Sequence, residues 1–147
     1  LFTNPFWASD DSMSGTVFCD ATCDSGGTFV ARTGDWFVWF GGWDQANTSS
    51  LSQSVTLDAG HPRTMNWWMV NQIDGDPSAS LTLSIDGTVV QTVSPVGDGT
   101  IWEAQSFAIP AQYLDGGMHE IRFDWSAGSP AGEIGGAMID DLPLDCD

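Results

Sequence analysis

Alternation of apolar and polar residues recurs along the chain and predicts a series of short β-strands. Residues 51–57 place Leu, Gln, Val and Leu at every second position, with Ser or Thr between them. Residues 64–69 alternate Met and Trp with Thr, Asn and a further Trp. Successive side chains of a strand point to opposite faces of a sheet, so this period of two indicates half-buried strands. Runs of the same kind predict strands at 81–85, 101–109, 119–125 and 137–144.

The clearest local signal is the dipeptide Asp86-Gly87, which separates residues 81–85 from the run TVVQTV. Asp-Gly between two alternating runs is the pattern of a two-residue type I′ β-hairpin, because both turn residues must adopt a positive φ. We therefore predict two neighbouring antiparallel strands joined at this turn.

The stretch from Cys19 to Gly42 is the most distinctive part of the chain. It holds two cysteines four positions apart, a glycine-rich turn, one arginine and the run WFVWF before a double glycine. Residues 36–40 are apolar at consecutive positions, which favours a central strand covered on both faces. The stretch contains no nucleophile, phosphate-binding or metal-binding motif, so we predict that its role is architectural.

The turn composition and the length favour one all-β domain. The chain has 147 residues, with 17 glycines and 7 prolines, and shows no amphipathic helical pattern. Short strands separated by Gly, Pro and Asp turns are typical of sandwiches and jelly rolls. We predict a single jelly-roll β-sandwich of two antiparallel sheets over residues 1–147, with little or no helix.

The chain is strongly acidic, with 20 Asp and Glu residues against three Lys and Arg residues and a formal net charge of −17. Such a surface repels phosphate backbones and anionic lipid headgroups, so nucleic acids and membrane surfaces are excluded as partners. No run of about 18 apolar residues is present, and we predict no membrane insertion. The composition suits a secreted, extracellular protein, and we expect that any signal peptide was removed or lay upstream.

The three cysteines, an odd number, leave the disulfide pattern open. A Cys19–Cys23 bridge closes a small loop if the three intervening residues form a turn. Cys146 is then free or paired to another chain. The alternative is a bridge from the N-terminal loop to Cys146, which would clamp the two ends of the domain together. A CxxxC pair without a nearby His or further Cys is weak evidence for zinc.

Several segments, in order, resemble bacterial secreted jelly-roll modules of the carbohydrate-binding-module or MAM-like type. They are Cys19-x-x-x-Cys23 with its glycine pair, Arg32-Thr-Gly34, WFVWFGG, SLSQSVTLDAG, NWWMV, SIDGT, YLDGGMHEIRFDW and MIDDLPL. The resemblance implies a non-catalytic module, with sugar binding or structural calcium in some members. It also implies that Asp140 and Asp141 lie where similar modules place a metal carboxylate, so they are the candidate calcium ligands.

Trp43 and Trp68 are the candidates for carbohydrate binding, because an exposed indole ring stacks on the apolar face of a sugar. We place Trp43 in the loop after the double glycine, and Trp68 on the opposite strand face from Trp67. A purely structural role stays open for both, since most tryptophans of a β-sandwich serve packing.

The sequence contains only weak evidence for catalytic or modification sites. No GxSxG or HExxH motif is present, and the many carboxylates do not single out a glycosidase pair. We predict that the chain is not an enzyme, and we interpret His61 and His119 as structural. The triplet Asn47-Thr48-Ser49 is an N-glycosylation sequon, which we place in a surface loop.

Our leading functional prediction is a self-assembling subunit of a filament or surface layer. The resemblance implies a shortened first strand, which would leave a groove open to strand donation from a neighbouring chain. Residues 1–7 would be the donated segment, and the predicted subunit contacts are Leu1, Phe2, Phe6, Trp7 and Cys146. The alternative is a carbohydrate-binding module of a larger secreted enzyme or adhesin, with polysaccharide as partner and possible structural calcium.

Overall fold

The computed structural model describes residues 6–23, 29–43, 45–71, 79–93, 99, 101–128 and 135–142. These residues form ten β-strands and one 3₁₀ turn, Ala111–Tyr113. The strands are β1 (Ala8–Asp11), β2 (Phe18–Asp20), β3 (Trp36–Trp43), β4 (Asn47–Thr56), β5 (Thr64–Asn71), β6 (Ser80–Ile85), β7 (Thr88–Val93), β8 (Glu103–Ala108), β9 (Met118–Ala127) and β10 (Gly135–Asp140).

The strands form two five-stranded antiparallel sheets. The first sheet has the order β1-β4-β9-β6-β7, and the second sheet has the order β2-β3-β10-β5-β8. The predicted fold class, an all-β sandwich of two antiparallel sheets, is confirmed. Within the described part of the chain, no helix has the length and hydropathy needed to cross a membrane.

The core lies between the inner faces of the two sheets. Trp67 of β5 meets Phe123 of β9 edge to face, with ring centroids 5.6 Å apart and planes at 76°. Edge-to-face contact suits the opposite charges of ring edge and ring face. The predicted alternation in residues 64–69 is confirmed, because the Met and Trp at its odd positions are at most 2% exposed. The largest fully buried side chains come from both sheets: Trp67, Trp125, Phe40, Phe123, Leu51, Leu57, Met69, Leu81, Leu83, Ile85, Ile121 and Ile139.

The β6–β7 hairpin has the predicted turn. Asp86 has a φ of 51° and Gly87 a φ of 75°, so both turn residues occupy the left-handed region that a type I′ turn requires. The hairpin lies at one edge of the first sheet, with β6 paired to β9 on its other side.

The connection between β3 and β4 differs from the prediction. Trp43, expected in a loop, is the last residue of β3 and pairs with Gly135 of β10. Asn47, expected in a surface loop, begins β4 and is 4% exposed. Its Oδ1 accepts a hydrogen bond from Trp125 Nε1 at 2.9 Å, and its Nδ2 donates to the Gln45 carbonyl at 2.9 Å. The amide is satisfied inside the fold, so the predicted placement of Asn47 in a surface loop is wrong.

β3 is covered on both faces, as its sequence predicts. Val38 and Phe40 belong to the core between the sheets. Phe37 points to the other face of the second sheet, where it is 3% exposed in a smaller apolar cluster with Val70 and Met138. The outer face of the second sheet therefore carries a packed apolar cluster of its own around Phe37.

Trp39 of β3 lies close against a glycine on the neighbouring strand. A Cβ atom added to Gly136 would lie 2.8 Å from Trp39 Nε1 and 2.7 Å from the Phe40 carbonyl oxygen. Glycine at this position is therefore a packing requirement of the β3–β10 pair.

His119 of β9 joins two turns at one end of the first sheet. Its Nδ1 lies 2.7 Å from Asp86 Oδ2, its Nε2 lies 3.0 Å from Asp115 Oδ1, and the Tyr113 ring meets the imidazole edge to face. Hydrogen bonds to Asp86 and then Asp115 raise the pKa of His119 above its ordinary 6.5. The same bonds lower the pKa of each carboxyl below its ordinary 3.8, with the backbone N–H of Glu120 and of Gly117 helping respectively.

Removing the imidazole should change stability in a pH-dependent way. A raised histidine pKa stabilises the fold fully below pH 6.5, and that stabilisation is lost as pH rises through the higher pKa of the folded state. The lowered carboxyl pKa values also stabilise the fold. That stabilisation is fully present above pH 3.8 and is lost as pH falls through the lower pKa values of the folded state. We expect His119→Gln to lower the Tm more at about pH 5.5 than at about pH 9. Thermal melts at both values, with the exposed His61→Gln as control, measure this, and an equal loss at both values would contradict it.

Replacing Gly136 should be costly for steric reasons alone. We expect Gly136→Ala to lower the free energy of unfolding by about 2–3 kcal/mol, because the added methyl group meets backbone and a packed indole. Gly34→Ala is the matched control, since a methyl group there meets nothing within 4 Å but its φ of +63° costs about 1 kcal/mol. Urea unfolding compares the two, and a smaller loss in the Gly136 variant would contradict the packing assignment.

Candidate functional site

The outer face of the second sheet carries an unusual concentration of aromatic residues. Residues directly opposite each other in antiparallel strands share a face, and the register places Trp39, Met138 and Val70 side by side. In the next row, Trp68 stands opposite Asp140 on one side and Ala104 on the other. We call this surface the aromatic face and define it by Phe37, Trp39, Trp68, Val70, Trp102, Ala104, Met138 and Asp140.

The interior of the aromatic face is packed ring against ring. Phe37 and Trp39 have centroids 6.3 Å apart, and Phe29 meets Trp39 edge to face at 5.3 Å. Trp102, just before β8, is half-buried against the same cluster. Trp68 is also half-buried, so two indole rings reach the surface at the β5–β8 side of this face.

Residues 29–33, here called the strap, cross part of the aromatic face. Phe29 and Ala31 pack against its apolar cluster. The backbone N–H groups of Arg32 and Thr33 both donate to Asp140 Oδ2, at 2.7 and 3.1 Å. The strap is thus fastened by apolar contacts at its beginning and by a carboxylate of β10 at its end.

The Arg32 side chain completes this fastening. Its guanidinium carbon lies 3.8 Å from the centroid of the Trp68 ring, and its Nη1 forms an ion pair with Asp141 Oδ2. The Thr33 hydroxyl donates to the other oxygen of Asp141. The side chains of Arg32 and Asp141 are 32% and 29% exposed, so this contact lies at the surface and not in the core.

The predicted disulfide lies in and just after β2, the edge strand beside β3. Cys19 and Cys23 are bonded, with Cα atoms 5.6 Å apart. Cys19 stands opposite Phe37 in the β2–β3 pair and packs against the apolar cluster of the aromatic face. The bridge therefore fixes the chain at the edge of the face that the strap crosses. Cys146 lies outside the described residues.

Asp140 and Asp141 do not fit the calcium site that the resemblance implies. Asp140 Oδ1 accepts the Asp141 N–H at 2.7 Å, and the other three carboxylate oxygens accept bonds from Arg32 and Thr33. A calcium ion needs six to eight oxygen ligands, whereas here a guanidinium lies beside the pair. Among the described residues, no group of three or more His, Cys, Asp and Glu side chains could hold a metal ion. The two carboxylates anchor the strap instead.

The predicted sugar-binding residues have different outcomes. Trp68 lies on the aromatic face, but Arg32 covers one face of its ring. The side chain of Trp43 lies outside the described residues. Sequence reasoning missed Trp39 and Trp102. Alternation places Trp39 on the opposite face of its strand from Val38 and Phe40, but a strand that is apolar throughout does not reveal which face is the outer one. The stacking of Arg32 had no sequence signal, because it depends on the path of a loop.

The predicted subunit contacts are only partly described. Phe6 is 66% exposed, whereas Trp7 packs against the core of its own chain. Leu1, Phe2 and Cys146 lie outside the described residues. β1, which follows Trp7, pairs with β4 of the same chain.

Chelation should leave stability unchanged if the carboxylate pair serves only as an anchor. We expect the Tm of the purified protein to differ by no more than about 1 °C between buffers with EDTA and with calcium chloride, because a ligand that binds only the folded state must raise the Tm. Asp140→Asn should lower the Tm equally in both buffers. A melting temperature that falls on chelation in the wild type, but not in this variant, would contradict the assignment.

Comparison with known proteins gives likenesses of structure only. No family model matches the chain, and no curated protein matches it by sequence. TmCBM61, solved in complex with β-1,4-galactotriose, is 18% identical with a TM-score of 0.59, and the match covers 92% of this chain and 84% of that one. A structure from work on promiscuous specificity of carbohydrate-binding modules of the β-sandwich superfamily is 14% identical with a TM-score of 0.57. That match covers 95% of this chain but 57% of the other.

A third solved structure, Family 16 carbohydrate-binding module-2, is 14% identical with a TM-score of 0.50, and the match covers 76% of this chain and 77% of that one. Identities this low establish a common fold and not a common ligand. The resemblance read from the sequence is confirmed at this level, because the chain has the β-sandwich fold that these carbohydrate-binding modules share.

Proposed function

We propose that this chain is a non-catalytic carbohydrate-binding module that contacts polysaccharide through its aromatic face. The observation that carries the proposal is the pair of half-buried indoles, Trp68 and Trp102, on the outer face of a sheet whose fold matches solved carbohydrate-binding modules. An aromatic ring at a partly exposed position offers a flat apolar surface with a polar N–H at its edge. A pyranose ring, apolar on one face and hydroxylated at its rim, complements that surface.

Polar groups beside the indoles supply hydrogen-bonding partners for sugar hydroxyls. Asn66 lies two positions from Trp68 on the same face of β5, and the register places it opposite Ser106 of β8. Both residues are exposed. An apolar platform with a few polar side chains at its edge is the usual composition of a site that binds a neutral, hydroxyl-rich ligand.

The charge of the chain favours an uncharged polysaccharide over a polyuronate. The formal net charge is −17, and the one cation at the aromatic face, among the described residues, is Arg32, which is already paired with Asp141. Asp140 adds a second carboxylate nearby. A polyanion would be repelled over distances of about the Debye length, roughly 8–10 Å at physiological salt.

The same contacts argue against catalysis at this face. Asp140 stands opposite Trp68 in the register and Asp141 follows it, and both carboxylates are occupied by bonds from Arg32 and Thr33. A glycosidase needs one carboxyl group free to donate a proton and another free to act as base or nucleophile. We place the module outside the cell, in keeping with its disulfide and its acidic surface.

Assembly into a filament by strand donation has less support than the binding module. Trp7, one of the residues assigned to the donated segment, packs against the core of its own chain, and TmCBM61, whose fold this chain shares, is a carbohydrate-binding module. Donation of residues 1–7 stays a prediction. Light scattering at high protein concentration tests it, and a monodisperse monomer would rule it out.

Replacing Trp68 tests the proposed function. Affinity gel electrophoresis in β-1,4-galactan, xylan, glucomannan and mixed-linkage β-glucan measures the retardation of the wild type and of Trp68→Ala. We expect at least one neutral polysaccharide to retard the wild type, with a loss of roughly tenfold or more in affinity for the variant, as for a central aromatic contact. Trp36→Ala is the matched control. Trp36 is also partly exposed, at 41%, but it lies on the opposite face of β3 from its neighbour Phe37 and therefore not on the aromatic face.

The proposal fails if none of the four polysaccharides retards the wild type. It also fails in its choice of surface if Trp68→Ala keeps full affinity while the Trp36 variant loses it. A melting curve for each variant confirms that the fold is intact before binding is compared.

A further inference from the structure

Resting on the proposed function, we propose that the strap is a built-in competitor for the sugar. In the unbound protein Arg32 occupies the ring face of Trp68, and a polysaccharide binds by displacing it. Arg32 is therefore an autoinhibitory residue that sets the affinity of the site without contributing to the binding of the ligand.

The distance between the two side chains carries the first step. The guanidinium carbon lies 3.8 Å from the centroid of the Trp68 ring, which is direct van der Waals contact between a flat cation and a flat aromatic ring. No sugar ring fits between groups this close. The side chain of Arg32 is 32% exposed, so it lies between the indole and the solvent from which a ligand would arrive.

The contacts that hold the Arg32 side chain on Trp68 are of a kind that a ligand can outcompete. They are a cation–π contact with Trp68 and an ion pair with Asp141, both at the surface. Each such contact, when exposed, shifts the equilibrium between the covered and the uncovered Trp68 by roughly two- to fivefold. Together they keep the uncovered form of Trp68 a minor species. The apparent affinity for the sugar falls in proportion to the fraction of molecules in that form.

The other end of the strap is held differently. Phe29 packs on Trp39 with ring centroids 5.3 Å apart, and Ala31 packs on the same apolar cluster. These apolar contacts do not depend on Arg32 or Asp141. The geometry therefore permits the Arg32 side chain to leave Trp68 while the backbone N–H groups of Arg32 and Thr33 stay bonded to Asp140 and Phe29 stays in place, so displacement does not require the outer cluster to unpack.

Charge screening gives the competitor a signature that a ligand-binding arginine lacks. Raising the salt concentration weakens an exposed ion pair, because the Debye length falls from about 10 Å at 0.1 M to about 3 Å at 1 M. Weakening the Arg32–Asp141 pair frees Trp68, so the affinity for a neutral polysaccharide should rise with salt. An uncharged ligand offers no charge of its own that salt could screen.

The test compares wild type, Arg32→Gln and Arg122→Gln by affinity gel electrophoresis in β-1,4-galactan, xylan, glucomannan and mixed-linkage β-glucan. Arg122 is the matched control, since it is paired with Asp124 on the first sheet at similar exposure. We expect Arg32→Gln to bind roughly four- to 25-fold more tightly than wild type, because the fold-changes of the two lost contacts multiply. Arg122→Gln should bind as wild type does. Between 0.1 and 1 M salt, affinity should rise for wild type and stay flat for Arg32→Gln.

A second measurement, made without ligand, tests whether Arg32 covers Trp68. Acrylamide should quench the tryptophan emission of Arg32→Gln more than that of wild type, because Trp68 is uncovered. The difference should vanish when both proteins also carry Trp68→Phe. A merely structural role for Arg32 would lower the melting temperature without raising affinity.

Two outcomes overturn the inference. If Arg32→Gln binds no more tightly than wild type, Arg32 is not a competitor, and weaker binding makes it a ligand contact. If quenching of the two proteins is equal, Arg32 does not cover Trp68. The proposed function fails separately, when no polysaccharide retards the wild type or when Trp68→Ala leaves binding unchanged.

Discussion

The structure depends on the need to cover both faces of β3. Val38 and Phe40 require the first sheet on one side, and Phe37 and Trp39 require a cover on the other. Burying an aromatic side chain of this size stabilises a fold by about 1.5–3 kcal/mol, so an uncovered outer face would forfeit much of that. The strap satisfies part of this requirement from the loop that precedes β3 itself. A sheet with a second apolar cluster on its outer face is the result.

The acidic pair at the end of β10 connects this packing requirement to function. Asp140 accepts two backbone N–H groups of the strap, and Asp141 pairs with Arg32, so carboxylates that could suggest a metal site hold a loop in place. Hydrogen bonds to ionised carboxylates are stronger than neutral ones, which suits an anchor at the surface. The same anchor places a guanidinium on Trp68. Arg32 therefore belongs both to the cover of the second sheet and to the surface that we propose for polysaccharide binding.

The sequence predicted the parts of the fold that depend on local rules. The period-two runs and Asp86-Gly87 specify strands and a hairpin from neighbouring residues alone, and both are present. The predictions that failed depend on partners far along the chain. The Arg32 N–H meets Asp140 across 108 positions, and the amide of Asn47 is buried against Trp125 across 78. No local pattern at Asn47 distinguishes such a buried amide from the amide of a surface turn.

The central claim is that polysaccharide contacts the aromatic face. Nuclear magnetic resonance of ¹⁵N-labelled protein observes the indole N–H of each tryptophan separately, and titration with an oligosaccharide of the best-bound polymer identifies the rings it touches. The account predicts that the indole signals of Trp68 and Trp102 shift, while those of the buried Trp67 and Trp125 do not. Shifts confined to residues of the first sheet, with Trp68 and Trp102 unmoved, would contradict it.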